Sequence, residues 1–142
     1  MCAGDLNKLG ALEAVSGIRN RDFSSYELMQ ACLNQIEKRE SIVNAWVNFD
    51  PDRALNEAKL SDKQNAKDGM DLPLRGIPVG LKDIIDTCDL PTQLGSDLFQ
   101  GRRPAQDAMS AALLRGAGAI IIGKTVTTEF ALTGARATTN PH

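Results

Sequence analysis

Histidine is all but missing from this chain: one in 142 residues, and that one, His142, is the last. Without an internal imidazole the sequence offers no Ser-His-Asp or Cys-His pair and no histidine-based metal site. Cysteine is nearly as scarce. Cys2, Cys32 and Cys88 are odd in number and far apart, which argues against a disulfide framework and for a reducing, cytoplasmic setting. No run approaches the roughly 18 apolar residues that would span a bilayer. The first ten residues, MCAGDLNKLG, lack the basic start and apolar centre of a secretory signal. A formal charge of −2 gives no basic footprint for nucleic acid and no pull toward an anionic membrane. Acid–base chemistry is left to Lys, Asp, Glu or Tyr26.

What is present is ordinary for a globular protein: 42% apolar and 24% charged residues, in a chain the size of one domain. Leu6 to Ser16 reads as a helix, with Leu9, Leu12 and Val15 on one side and Gly17 as its C-cap. Ser24 and Glu27 form a capping box for a second helix, whose apolar stripe is Leu28, Met29, Cys32, Leu33 and Ile36 and which runs out at Glu37 to Glu40. Ala45 to Phe49 reads as a short strand. Asp50-Pro51 opens a third helix, expected to fade in the polar stretch Ser61 to Gly69, a solvated loop.

The densest stretch is Leu74 to Ser96. Its centre, Ile77 to Ile85, is a β-type run interrupted by Lys82. Alternation puts Ile77, Val79 and Leu81 on one face and Pro78, Gly80 and Lys82 on the other. A lysine in the interior of a sheet needs a carboxylate partner or a lowered pKa. Bringing it from about 10.4 to near 7 costs roughly 4–5 kcal/mol, which chains tolerate where a neutral amine serves as a general base. The plainer reading leaves Lys82 at the strand's end, paired with Asp83 or Asp86, or reaching to water. A turn-rich stretch follows from Asp86 to Pro104, long enough to suggest function. Asp107 is the expected cap of a helix through Leu114, closed by Arg115 and Gly116. Ala119 to Ile122, apolar at every position, must be covered on both faces, as in a parallel sheet. Strand, helix, strand then makes a right-handed βαβ unit.

Gly118 to Thr125, GAIIIGKT, fits the phosphate-loop pattern G-x-x-x-x-G-K-T to the letter. Its chemistry does not fit. The intervening Ala and three Ile want to be the strand itself, and Val126, Thr127 and Thr128 open a helix poorly.

LRGIPVGLKD, then LPTQLGS, then DAMSAALLRGAGAIIIGKTVTTEF resemble the amidase signature family of serine hydrolases, with FSSYELMQACLNQIEKRE and NAWVNFDPDRALNEA as a similar lead-in. The GIPVGLKD and GAGAIIIGKT blocks, in order and about 40 residues apart, carry the resemblance. It implies an α/β/α core on a mixed sheet, with a helical N-terminal region (about residues 6–67) followed by the βαβ unit. It also implies hydrolysis of carbon–nitrogen amide bonds by a Ser–cis-Ser–Lys triad, with Lys82 as the lysine.

The family's two serines lie in a Gly/Ser-rich segment after an Asn-Pro element, and this chain stops at Thr139-Asn140-Pro141-His142. Ser24, Ser25, Ser96 and Ser110 do not sit in such a segment. Val126 stands where the family often has Asn. The expectation is one incomplete domain over 1–142, with 1–70 a mainly helical lead-in and 71–142 the start of the sheet core. As an N-terminal part, the chain is expected to be inactive alone. The resemblance implies a small-molecule amide as substrate, no cofactor, no nucleic acid bound directly by this chain and no membrane, and it leaves a homo-oligomer of the full-length protein open. Two other readings stand beside it: the amidase-type subunit of a glutamine- and tRNA-dependent amidotransferase, and a non-catalytic remnant or interaction module.

Overall fold

Ile120–Thr125 forms a strand that is buried at five positions in succession, and the other elements cover it. The structure is a computed structural model that describes residues 3–68, 72–132, 134 and 138–140, of which 3–5 and 66–68 are described for the backbone alone. His142, Pro141, Cys2 and Gly69 lie outside the described residues. The α-helices are α1 (Ala11–Asn20), α2 (Ser25–Val43), α3 (Pro51–Asp68) and α4 (Met109–Gly116), and the strands are β1 (Trp46–Phe49), β2 (Pro78–Lys82) and β3 (Ile120–Thr125).

The strands lie in the order β1-β3-β2, with β2 parallel and β1 antiparallel to β3. The sheet is therefore mixed, as expected, and β2-α4-β3 is the crossover unit. One sheet face, through Ile120 and Ile122, packs on Met29 and Leu33 of α2 and Ala54 and Ala58 of α3. The other, through Leu81 and Ile121, packs on Ala111 of α4 and Leu90 of the long loop. A third cluster joins Leu6, α1 and α2 through Ala14, Ile18, Leu28 and Ala31.

Residue pairing between β2 and β3 slips by one: Val79 faces Ile121, but Gly80 faces Gly123. The skipped Ile122 is a bulge, and a bulge re-aims every side chain beyond it. Trp46 fills the space left by the two glycines. A Cβ on Gly80 would meet its ring at 2.8 Å and one on Gly123 at 2.9 Å.

The α2 capping box forms as its sequence indicates, with Ser24 Oγ accepting from the Glu27 amide at 3.1 Å and the Glu27 carboxylate accepting from the Ser24 amide at 2.8 Å. Elsewhere local signals were overruled. The N-terminal helix is split: a 3-10 turn covers Ala3–Lys8, and α1 starts at Ala11 and runs past Gly17. Gly17 is interior because the Phe23 ring packs where its Cβ would be, and Arg21, at φ 62°, makes the C-cap. Leu12 is consequently 84% exposed, and Ala14, Gly17 and Ile18 form the buried side.

Helix α2 continues through the charged stretch to Val43, and Glu40 accepts from the Trp46 amide at 2.8 Å. Helix α3 does not fade at Ser61. Asp62 accepts from the amides of Ser25 and Tyr26 at 2.8 and 3.0 Å, so it satisfies the otherwise open N-terminus of α2. Asp107 is not the cap of α4, which begins at Met109 after Ala108. Its carboxylate accepts from the Cys88 amide and pairs with Arg115 instead.

Truncating Ile121, fully buried at the centre of the sheet, removes contacts on which the loop layer rests. Ile121→Ala is expected to cost about 2–5 kcal/mol, read as a lowered denaturant midpoint at unchanged slope.

Candidate active site

Beyond the C-terminal ends of the parallel strands β2 and β3, where α/β sheets commonly bind ligands, the surface opens into a recess of about 360 Å³. Trp46 of β1, Asp83 just after β2, Gln93, Gly95 and Ser96 of the long loop, and Thr127 just after β3 are among its lining residues.

The long loop that follows Lys82 is ordered by polar ties. Arg102 donates to both oxygens of Asp86, at 2.8 and 3.0 Å, and the Thr92 amide donates to the Arg102 carbonyl at 2.9 Å. Leu94 and Gly95 both have positive φ, 57° and 65°. At Gly95 a Cβ would come within 2.7 Å of the Thr127 and Thr128 carbonyl oxygens, so glycine is required for the loop to lie against the segment after β3. Ser96 Oγ, buried, donates to Glu129 at 2.7 Å and closes the same seam.

Behind the recess lies a charge pair that no water reaches. Lys124 and Asp83 side chains are both 0% exposed, with Nζ 3.6 Å from Oδ1. Lys124 Nζ donates to the Ile85 carbonyl and to Thr92 Oγ1, each at 2.6 Å. Asp83 Oδ2 accepts from the Gln93 amide at 3.1 Å and the Gly95 amide also supports the carboxylate, while Oδ1 has no hydrogen-bond donor. Burial pushes the Asp83 carboxyl up from its ordinary value, against the pull of the Gln93 amide and Lys124. Burial likewise pulls the Lys124 ammonium down, against Asp83.

Lys82 is the residue before Asp83, and the two side chains part company. Asp83 turns inward on the Leu81 side, and Lys82 is exposed at the end of β2 on the Gly80 side. It stands beside the recess rather than in its lining, without a hydrogen-bond or ion-pair partner among the described residues. The expectation of a lysine buried in the sheet interior thus falls on a different residue. β2 has β3 as its single neighbour among the described residues, so its end is open, and the desolvated lysine is Lys124 of the central strand.

The phosphate-loop reading is excluded by the same geometry, since Gly123, Lys124 and Thr125 continue a strand and no helix opens at them. Sequence reasoning did not single out Asp83, Gln93, Gly95 or Thr127 as site residues. The one available signal was that the Asp of GLKD directly follows the candidate lysine.

Cys88, Asp89 and Asp107 also come together. Their carboxylates already serve Arg53 and Arg115, which ties the loop to α3 and α4. No described helix is long and apolar enough to cross a membrane.

A mixed sheet with helices on both faces and a polar recess at the mouth of its parallel strands makes this an α/β protein. The sequence profile of the amidase family matches residues 27–141, and the chain belongs to that family. It is 37% identical over 129 residues to the "Putative amidase AmiD" of Mycobacterium tuberculosis, covering 91% of this chain and 27% of that protein. It is 40% identical over 130 residues to a glutamyl-tRNA(Gln) amidotransferase subunit of Mycobacterium bovis, covering 90% of this chain and 26% of that one. The native peptide amidase of Stenotrophomonas maltophilia superposes with a TM-score of 0.74 at 35% identity, over 81% of this chain and 24% of that structure. The chain therefore spans about a quarter of the length of these relatives.

Arg102 holds the Asp86 carboxyl below the usual carboxylate range. A carboxyl with a depressed folded pKa adds stability above its unfolded pKa of about 3.9, and loses it as pH falls through the folded value. With both side chains about one-third exposed, Arg102→Met is expected to cost about 1 kcal/mol or less near pH 7. The difference from the parent should shrink below about pH 4, followed by denaturation across the pH range.

Proposed function

We propose that this chain is the N-terminal part of an enzyme that hydrolyses carbon–nitrogen amide bonds, with Lys82 as its catalytic lysine. The observation that carries the reading is the GIPVGLKD block in a member of the amidase family, with Lys82 at the mouth of the parallel strands next to the recess. In the family's Ser–cis-Ser–Lys scheme a neutral Lys82 amine would act through a cis serine to take the proton of the nucleophilic serine. The serine oxygen would bond to the amide carbon, the carbon–nitrogen bond would break, and the proton would return to the departing amine. Water would then release the acyl group.

The four serines weighed in the sequence are placed as parts of the scaffold. Ser24 caps α2, Ser25 is buried beneath Gly76, Ser96 is bonded to Glu129, and Ser110 lies in the first turn of α4. Both serines of the scheme would come from polypeptide beyond residue 142. That reading agrees with the quarter-length match to the relatives and with the exposure of Leu98, Met109, Leu113 and Leu132 at 65–85%. The substrate would be a small-molecule amide, with no cofactor. A cytoplasmic location belongs to the same reading.

The 40% identity to an amidotransferase subunit favours a second reading, in which the parent releases ammonia from glutamine within a tRNA-dependent complex. Glutaminase activity that requires a partner subunit would select it.

In the full-length protein, Lys82→Met is expected to lower kcat for amide hydrolysis by at least about 10³-fold with the fold intact by circular dichroism. Hydrolysis at the parent rate in that variant would remove Lys82 from the mechanism.

A further inference from the structure

We infer that Lys124 is a positioning residue for Lys82, acting through Asp83 to fix the end of β2 at the mouth of the recess. The inference rests on the assignment of Lys82 above. It starts from the lysine of the phosphate-loop-like GKT, which the catalytic scheme leaves without a task.

Lys124 is the largest fully buried side chain among the described residues. A lysine serving only as filler would carry its stem inside and its ammonium to water. Here the ammonium itself is dry, and three oxygens from one short stretch answer it: Asp83 Oδ1 at 3.6 Å, and the Ile85 carbonyl and Thr92 Oγ1 at 2.6 Å. Two of them belong to the turn after β2, and the third, Thr92, to the recess-lining loop that follows.

Asp83 is held from every side. Its amide donates to the Thr125 carbonyl at 2.9 Å, its carbonyl accepts from Leu94 at 3.0 Å, and its carboxylate accepts from Gln93 at 3.1 Å. One peptide bond away, the Lys82 carbonyl accepts from the Ile85 amide at 2.9 Å, but its side chain has no hydrogen-bond or ion-pair partner among the described residues. The direction in which that side chain leaves the strand is therefore set by backbone alone, by the pairing of Lys82 with Thr125 on one side and the anchorage of residue 83 on the other.

The bulge at Ile122 makes the arrangement possible. With regular alternation after Ile121, Lys124 would fall on the Trp46 face, which also carries Gly80 and Lys82. The slipped register pairs it with Leu81 and turns it toward Asp83.

The test uses the full-length enzyme and steady-state kinetics with an aryl amide or a primary carboxamide as probe. Lys124→Met leaves a buried, unpaired carboxylate, and the thermal midpoint should fall by at least about 5 °C. The double variant Lys124→Met/Asp83→Asn removes that lone charge and should recover most of the midpoint. Its kcat is expected to stay at least tenfold below the parent at a KM within threefold, because the ties of residue 124 to residues 83, 85 and 92 are still lost. Thr92→Val, which removes one ligand of the ammonium and leaves the charge pair, should lower kcat at least threefold with KM unchanged.

A double variant whose kcat returns together with its midpoint would make Lys124 merely structural and overturn the inference. So would a Thr92→Val enzyme with the parent kcat, whether or not the Lys124 variants fold. Lys82→Met, run alongside, separates the two readings. If it keeps activity, the assignment of Lys82 falls. If it is inactive while the double variant turns over normally, the positioning role alone falls.

Discussion

An ammonium that has lost all its water must be answered by oxygen, and the Lys124 ammonium ties the central strand to the chain that follows β2. Removing such an ion from solvent costs several kcal/mol even after relaxation. Its three oxygen neighbours come from residues 83, 85 and 92, so the turn after β2 and the first part of the long loop must close over the strand. That closure brings Gln93 and Gly95 onto the Asp83 carboxylate and lays the loop against Thr127 and Thr128. The recess is the gap left between this closure and the Trp46 ring.

Tertiary pairing decides where the helices begin and end. α3 outruns its polar sequence because Asp62 is needed at the N-terminus of α2, some 36 residues away in the chain. α2 outruns its apolar stripe because Glu40 caps the amide that begins β1. In each case a side chain with nothing to offer its own helix satisfies a backbone group elsewhere, and leaving those groups unmet would cost more than the helix propensity lost.

These elements also mark what the sequence made legible. The α2 capping box, the two faces of β2 and the all-round burial of β3 were readable, because each is set by contacts within a few residues or by strict period. Local reading failed where a distant partner intervened. Gly17 looks like a helix stop until the Phe23 ring is seen to need its missing Cβ. Asp107 looks like a cap until Cys88 and Arg115 claim it. The choice of dry lysine failed for the same reason. The surroundings of Lys82 are as apolar in sequence as those of Lys124, and only strand order, with β3 in the middle among the described strands, separates the edge from the covered centre.

The two lysines illustrate a division that strand geometry makes natural. Consecutive strand residues face opposite ways, so a reactive group and its anchor can be neighbours in the chain and still occupy different surroundings. A proton-transfer group has to be reachable, which forbids locking its own tip into buried contacts, yet an error of about 1 Å in its placement can be expensive in rate. Under the role proposed for Lys82, burying the next residue would resolve the conflict: Asp83 and Lys124 pair on the dry side, and the Lys82 tip stays open on the other. A lone hydrophobic residue at 83 could fill the same volume, but it would not choose between neighbouring registers. A carboxylate that must meet one ammonium and two amides has a single position that satisfies it.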